Sequence, residues 1–293
     1  MKIDTLIPDI YALIQRKDGW FNEELSQRLS SDIASRLTNQ LGEGARTPTL
    51  RLSRMGPSCP KALWCSIHRP DLADPLPPWA QIKYSFGHII EGLAVALAKA
   101  SGHSVTGEQH ELVLDSIVGH RDCVIDGCTV DVKSSASISF NKFRSGSFVD
   151  TFGYLDQLDG YVLAAANDPL VTEKRKGYLL VVDKQLGHMC LYPHEVTDER
   201  ERTLRERIAA YRRIIALPNP PLCECGTITQ EATGNVQLDL KAGYSSYKHA
   251  CHPGLRTFLF AKGPVFFTSV KKKPFNKDGP IVEVDKTGKI VYN

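Results

Sequence analysis

Gly119-His120-Arg121-Asp122-Cys123-Val124-Ile125-Asp126-Gly127-Cys128-Thr129-Val130-Asp131-Val132-Lys133 is the stretch on which the fold turns. Asp126-Gly127 separates two strand-like runs, and a two-residue type I′ turn needs positive φ at both of its positions, which Asp and Gly tolerate. Such a turn fixes the register: Ile125 opposite Cys128, Val124 opposite Thr129, Cys123 opposite Val130, and Asp122 opposite Asp131. Directly opposed residues project from one face, and Lys133 joins them because alternate residues of a strand share a face. The other face carries Cys123, Ile125, Cys128, Val130 and Val132, and it is apolar enough for a core. The polar face therefore sets two carboxylates about 5 Å apart at Cβ with an ammonium one step along. Like charges so placed repel, and a hard divalent cation between them, Mg²⁺ or Mn²⁺, removes the repulsion. The plainer alternative is a solvated strand face whose charges keep an edge soluble.

Outward from the hairpin, Phe86, Ile89, Ile90, Leu93 and Leu97 recur at helical spacing over 81–100, closed by Gly102. Within Gly87-His88-Ile89-Ile90-Glu91 the glycine lies one turn before Glu91 and leaves room beside its carboxylate. Alone, Glu91 reads equally well as a surface glutamate; with the hairpin, Glu91 and the neighbouring His88 become candidate metal ligands. A second helix is predicted over 154–166, where Gln157 and Tyr161 share a face. Residues 7–14 and 23–41 read as helices, Gly42 to Pro48 as a loop, and 50–68 as a turn feeding a short helix. Residues 178–182 and 188–192 read as a hairpin about Gly187, and 198–216 as a charged helix ended by Pro218-Asn219-Pro220-Pro221. The expected organisation is a helical region 1–80 packed on a core of 81–217, with 218–293 as a C-terminal segment of the same domain.

Asp122 followed by Asp131-Val132-Lys133 resembles the acidic residue plus (D/E)-x-K of the PD-(D/E)XK nuclease superfamily. Gly119, Glu91 four residues after Gly87, and Gln157 four before Tyr161 resemble its RecB-type and lambda-type phage exonuclease branches, in the same order along residues 87–161. The resemblance implies an α/β fold with a restriction-endonuclease-like core, a central mixed β-sheet flanked by helices. It implies that Asp122, Asp131, the Val132 carbonyl and Glu91 bind Mg²⁺ or Mn²⁺, that Lys133 is catalytic, and that Gln157 and Tyr161 support the site and contact DNA. The implied reaction is metal-dependent hydrolysis of DNA phosphodiester bonds, exonucleolytic on linear double strands. The resemblance to phage recombination pairs makes a single-strand annealing protein a candidate partner, and a homo-oligomer stays open. The chain has no Gly-x-x-x-x-Gly-Lys-Ser/Thr loop of a helicase. Two other readings stand beside this one: a structure-specific or CRISPR-adaptation-type nuclease that trims single strands, and a DNA-binding module that has lost turnover. Arg51, Arg54, Lys61, Lys142 and Arg144 are candidate phosphate contacts. Phe140, Phe148 and Phe152 are candidate stacking platforms, with core packing the default for any single phenylalanine.

Relatives of the AddB and CRISPR-adaptation type hold an iron–sulfur cluster with one cysteine before the core and Cys-x2-Cys-x5-Cys after it. Cys59, in Ser58-Cys59-Pro60-Lys61, resembles the first; Cys251 ends a segment in the right frame, with Ala242 and Ser245 at the other two positions. Cys223 and Cys225 are candidate substitutes for such a cluster, or candidate zinc ligands with Cys251 and His249 or His252. Metal-free buried thiols are the plainer reading, as they are for Cys65, Cys123, Cys128 and Cys190. A further alternative makes the chain a metal-stabilised scaffold.

A net charge of +3 over 293 residues neither demonstrates nor excludes nucleic-acid binding, because a local patch decides that. The composition, 42% hydrophobic and 24% charged, is that of a chain with a packed core. No apolar run approaches the roughly 18–20 residues a bilayer span needs, and the start lacks a basic-then-apolar secretory pattern. The expectation is a protein of the bacterial or phage-infected host cytoplasm with no membrane partner. In that compartment the eight cysteines argue against a disulfide framework.

Overall fold

The computed structural model describes residues 1–41, 48–261, 263–275 and 281–291, apart from the side chains of Asn39, Gln40 and Trp79. Of the expected loop from Gly42 to Pro48, residues 42–47 lie outside the described residues. In chain order the helices and strands begin with α1 (Leu6–Gln15), α2 (Glu23–Leu41), α3 (Pro60–His68) and α4 (Pro78–Ala100). Strands β1 (Val105–Thr106), β2 (Glu111–Leu114), β3 (Ile117–His120), β4 (Cys123–Ile125) and β5 (Cys128–Ser135) follow. Then come α5 (Ser137–Arg144), α6 (Tyr154–Ala164), β6 (Lys176–Asp183), β7 (Met189–Glu195) and α7 (Asp198–Ile215). The remainder is β8 (Thr227–Thr229), β9 (Val236–Leu238), α8 (Leu240–Gly243), α9 (Lys248–Cys251), β10 (Arg256–Phe260), β11 (Gly263–Ser269) and β12 (Val282–Val284). Among the described residues no helix is long and apolar enough to cross a membrane.

The reversal at Asp126-Gly127 forms with φ of +48° and +79°. The ladder pairs Ile125 with Cys128, Val124 with Thr129 and Cys123 with Val130, the register a two-residue turn demands. His103 anchors the turn: Nδ1 lies 2.6 Å from Asp126 and Nε2 3.2 Å from Asp9 on α1. The hairpin belongs to a five-stranded sheet ordered β1-β4-β5-β6-β7. Only β5 and β6 run parallel, and that crossover is made by α5 and α6, as a parallel pair requires.

The apolar face of the hairpin, Cys123, Ile125, Cys128, Val130 and Val132, packs with Leu6 and Ile10 of α1 and Ala94, Val95 and Ala98 of α4. The opposite face is covered as well. Helix α6 lies over β6, where a Cβ on Gly177 would come within 2.8 Å of Val162 and 2.9 Å of Leu158. Asp131 is 1% exposed, which rules out the solvated strand face as a description of this hairpin.

The chain divides into two compact units, one of residues 1–46, 50–56 and 78–208 and the other of 47–49, 57–77 and 209–293. Residues 57–77 thus group with the C-terminal residues, so the unit boundaries do not fall at 80/81 and 217/218. The second unit holds α3, α8, α9 and an antiparallel sheet ordered β12-β10-β11-β9-β8. The Trp64 indole of α3 donates to the Leu217 carbonyl at 2.9 Å. Lys248 and His249 meet Asp74 at 2.7 and 2.9 Å. Asn235 is fully buried. It accepts from the N–H groups of Lys271 and Lys272 and donates to the Lys272 carbonyl, so the start of the three-lysine run Lys271-Lys272-Lys273 is held by its backbone.

Candidate functional site

Asp122 stands one residue before β4, on the extension of the hairpin. Its Oδ2 accepts the Val132 N–H at 2.7 Å. The alternation of β5 then carries Asp131 and Lys133 to the same side, and Lys133 Nζ lies 2.6 Å from Asp131 Oδ2. Asp131 Oδ2 is buried, and the Lys133 ammonium is the polar group against it.

Gln157 fixes the ammonium from the facing helix. Its Oε1 accepts from Lys133 Nζ at 3.2 Å, while its amide nitrogen donates to Asp131 Oδ1 at 3.3 Å and to the Tyr161 hydroxyl at 2.9 Å. The start of α6 is itself held, because the Asp150 carboxylate accepts the N–H groups of Gly153, Tyr154 and Leu155 at 2.7–3.0 Å. Asp159 on the same helix pairs with His194 and Arg200, both at 2.6 Å. Gly119 is needed for close approach: a Cβ there would stand 2.7 Å from Leu52 and 2.8 Å from the Tyr161 ring.

Helix α4 contributes Glu91, whose Oε1 accepts from Gln109 Nε2 at 2.8 Å and from Arg36 of α2. Gln109 also reaches Asp122 Oδ1 at 3.5 Å, so one amide spans two of the three carboxylates. His88 Nδ1 stays 3.9 Å from Glu91 Oε2, at the edge of the cluster. A Cβ on Gly87 would meet nothing within 4 Å, so the space beside Glu91 is open.

Burial raises these carboxyls. It pushes Asp122 up to about 7, helped by the Glu91 charge, and Asp131 up to about 6, helped by Asp122 and opposed by Lys133. Burial raises Glu91 too, although Arg36 works the other way. For Lys133, burial acts to lower the pKa, but the charges of Asp131 and Asp122 outweigh it and hold the group protonated. Tyr161 is raised by burial and by Asp131. Three hard oxygen donors, each costly to ionise and gathered in one buried cluster, make a donor set that fits Mg²⁺ or Mn²⁺.

The predicted residues Glu91, Asp122, Asp131, Lys133, Gln157 and Tyr161 are therefore brought together, with the Val132 N–H in contact and His88 peripheral. Arg54 is exposed at the end of the Leu52–Arg54 turn. Lys142 and Arg144 are exposed on α5, and Lys61 belongs to α3 of the second unit. Phe140 is 1% exposed and Phe148 stacks on Phe143 at 3.9 Å. Both pack within the protein, and Phe152 alone of the three phenylalanines keeps an exposed face. Arg36 and Gln109 were missed by the sequence reading. Asp32 and Arg36 form an ordinary i,i+4 helix pair, and Gln109 owes its position to a left-handed backbone, φ +51°. Neither gives a signal in the sequence.

In the second unit Cys59, Cys223, Cys225 and Cys251 form a quartet whose sulfurs all lie within 4.8 Å of one another. Cys59 Sγ is 3.8 Å from Cys223 Sγ and 3.9 Å from Cys251 Sγ. Cys65, Cys123 and Cys128 are buried as expected, while Cys190 is only half-buried.

No family model and no curated protein matches the sequence. Similar solved structures include SSO0001, at 14% identity over 76% of this chain and 95% of that one, with a TM-score of 0.41. They also include an alkaline exonuclease, LHK-Exo, from Laribacter hongkongensis, at 15% identity over 65% of this chain and 92% of that one, with a TM-score of 0.39. The same exonuclease in complex with dAMP gives 14% identity, the same coverage and a TM-score of 0.39.

Proposed function

We propose that this protein is a metal-dependent deoxyribonuclease that hydrolyses DNA phosphodiester bonds, acting as an exonuclease on linear duplexes. The observation that carries the reading is the convergence of Glu91, Asp122 and Asp131 beside a protonated Lys133 in a buried setting. Those three carboxylates would hold Mg²⁺ or Mn²⁺, with His88 close by. When bound, the cation polarises the phosphate and makes water a better nucleophile.

The chain's own residues supply the rest. Lys133 offers a fixed positive charge to the oxygens on which negative charge builds. Gln157 holds that ammonium in one orientation, and Tyr161 holds Gln157. Arg36 neutralises Glu91 and keeps its carboxylate turned toward Asp122. Three carboxylates against two cationic side chains leave one negative charge, which suits a single divalent ion. In its finer form the reading sets the enzyme in the cytoplasm, in phage-type recombination with a single-strand annealing protein as partner.

The test is digestion of end-labelled linear DNA in Mg²⁺, Mn²⁺ or chelator, with closed circular DNA as comparator. Wild-type protein is expected to shorten the linear substrate, spare the circle and stop in chelator. Lys133→Ala is expected to slow cleavage roughly 10²-fold or more, as loss of a preorganised charge does. Equal digestion by both proteins would refute the assigned chemistry. Tight binding without cleavage in either metal would turn the reading into that of a DNA-binding module.

A further inference from the structure

We infer that Cys59, Cys223, Cys225 and Cys251 hold a single tetrahedral zinc ion in the second unit, not the iron–sulfur cluster that the family resemblance implies. The argument begins with distances. Zinc binds thiolate at about 2.3 Å, and tetrahedral angles then put the sulfurs about 3.8 Å apart. Cys59 Sγ stands 3.8 Å from Cys223 Sγ and 3.9 Å from Cys251 Sγ, and no pair in the quartet exceeds 4.8 Å. A four-iron cluster places its irons and bridging sulfides between the cysteines and needs them much further apart. This quartet has room for one ion.

The groups around the sulfurs agree with thiolate ligands. The Glu224 N–H donates to Cys59 Sγ at 3.3 Å and the Cys225 N–H to Cys223 Sγ at 3.5 Å, contacts that spread the charge of a coordinated thiolate. His252 Nε2 sits 3.5 Å from Cys223 Sγ, so it meets a ligand atom from outside, the usual position of an outer hydrogen-bond partner. His249 is taken by Asp74 at 2.9 Å. Four thiolates therefore complete the set without either histidine.

The quartet ties three segments that are far apart in the sequence. Cys59 precedes α3, Cys251 ends the four-residue α9, and Cys223 and Cys225 lie in a stretch without helix or strand between α7 and β8. The unit's sheet is made of strands of three to seven residues, and small folds of this kind commonly depend on a structural metal. This inference does not depend on the nuclease reading, since it concerns other residues, other donors and the other unit.

The test uses the full-length protein purified under inert gas without added metal. Elemental analysis is expected to find one zinc per chain and no iron, and the visible spectrum to stay blank. Cobalt exchanged into the same protein is expected to give the intense bands of a tetrahedral four-thiolate ion. Cys59→Ser is expected to lose at least nine-tenths of the zinc and His252→Ala to keep it. The cobalt spectrum of the wild type is a readout independent of whether Cys59→Ser folds. Iron with acid-labile sulfide, a metal-free protein with its cysteines in disulfides, or zinc lost equally from His252→Ala would each overturn the assignment.

Discussion

Asp131 carries opposing demands: it is buried, it faces Asp122, and it is neutralised by one ammonium. Its pKa of about 6 and that of Asp122, about 7, both lie above the value of 3.8 expected in the unfolded chain. The folded protein therefore binds more protons than the unfolded one between those limits. These groups favour the fold below about pH 4 and cease to as pH rises through 6 to 7. Asp131→Asn should raise the stability of metal-free protein at pH 8 by about 1–2 kcal/mol, flatten the fall between about pH 4 and 7, and abolish stabilisation by Mn²⁺. Thermal melts in chelator and in Mn²⁺ read all three, and unchanged melts would remove the buried charge from the account. Arg36 gives the converse case. It is 8% exposed against Glu91 at 12%, so Arg36→Ala should cost about 3 kcal/mol and weaken Mn²⁺ binding. Arg36→Met with Glu91→Gln should recover much of the stability but none of the metal affinity. Calorimetry on the wild type and these two variants measures both. Asp122, Asp131 and Lys133 were legible because a strand's period of two sorts them onto one face. Arg36 and Gln109 were not, because they reach Glu91 from 55 and 18 residues away, by packing that no local pattern encodes.

Among elements, the β4–β5 hairpin depends on its turn. At Gly127, φ is +79° and a Cβ would stand 2.2 Å from Thr172 Oγ1. Gly127→Ala should therefore destabilise the protein by about 1–3 kcal/mol and lower Mn²⁺ affinity by disturbing how the hairpin holds Asp122 against β5. Urea unfolding with and without Mn²⁺ separates the two effects, and a neutral result would mean that the turn does not set the site. The helices expected at 7–14, 23–41, 154–166 and 198–216 coincide closely with α1, α2, α6 and α7, because each presents several turns of apolar spacing. The second unit was far less readable. Strands of three residues such as β8, β9 and β12, and four-residue helices such as α8 and α9, are too short for any period to repeat.

Over the whole molecule, charge is unevenly distributed along the chain. Residues 209–293 hold twelve Lys and Arg against six Asp and Glu, while the full chain is only +3, which leaves the rest acidic. Lys271, Lys272 and Lys273 are exposed. Replacing all three with alanine should weaken duplex binding equally for all sequences and reduce the slope of log affinity against log salt by about 2–3. Anisotropy titrations in chelator at several salt concentrations check this, and an unchanged slope would make the lysines mere solvated charge. The four cysteines could be named from the sequence, but Cys59 and Cys223 are 164 residues apart, and only the tertiary fold decides that they meet. The discontinuous make-up of the second unit also bears on synthesis. Trp64 is made 153 residues before Leu217, which accepts its indole proton, and Asp74 is made 175 residues before His249. A ribosome adding about 5–20 residues per second thus leaves α3 waiting roughly 8–30 s without its cover. Every residue of the first unit has been translated by then. Vectorial synthesis orders maturation accordingly, with the carboxylate core first and the thiol quartet last.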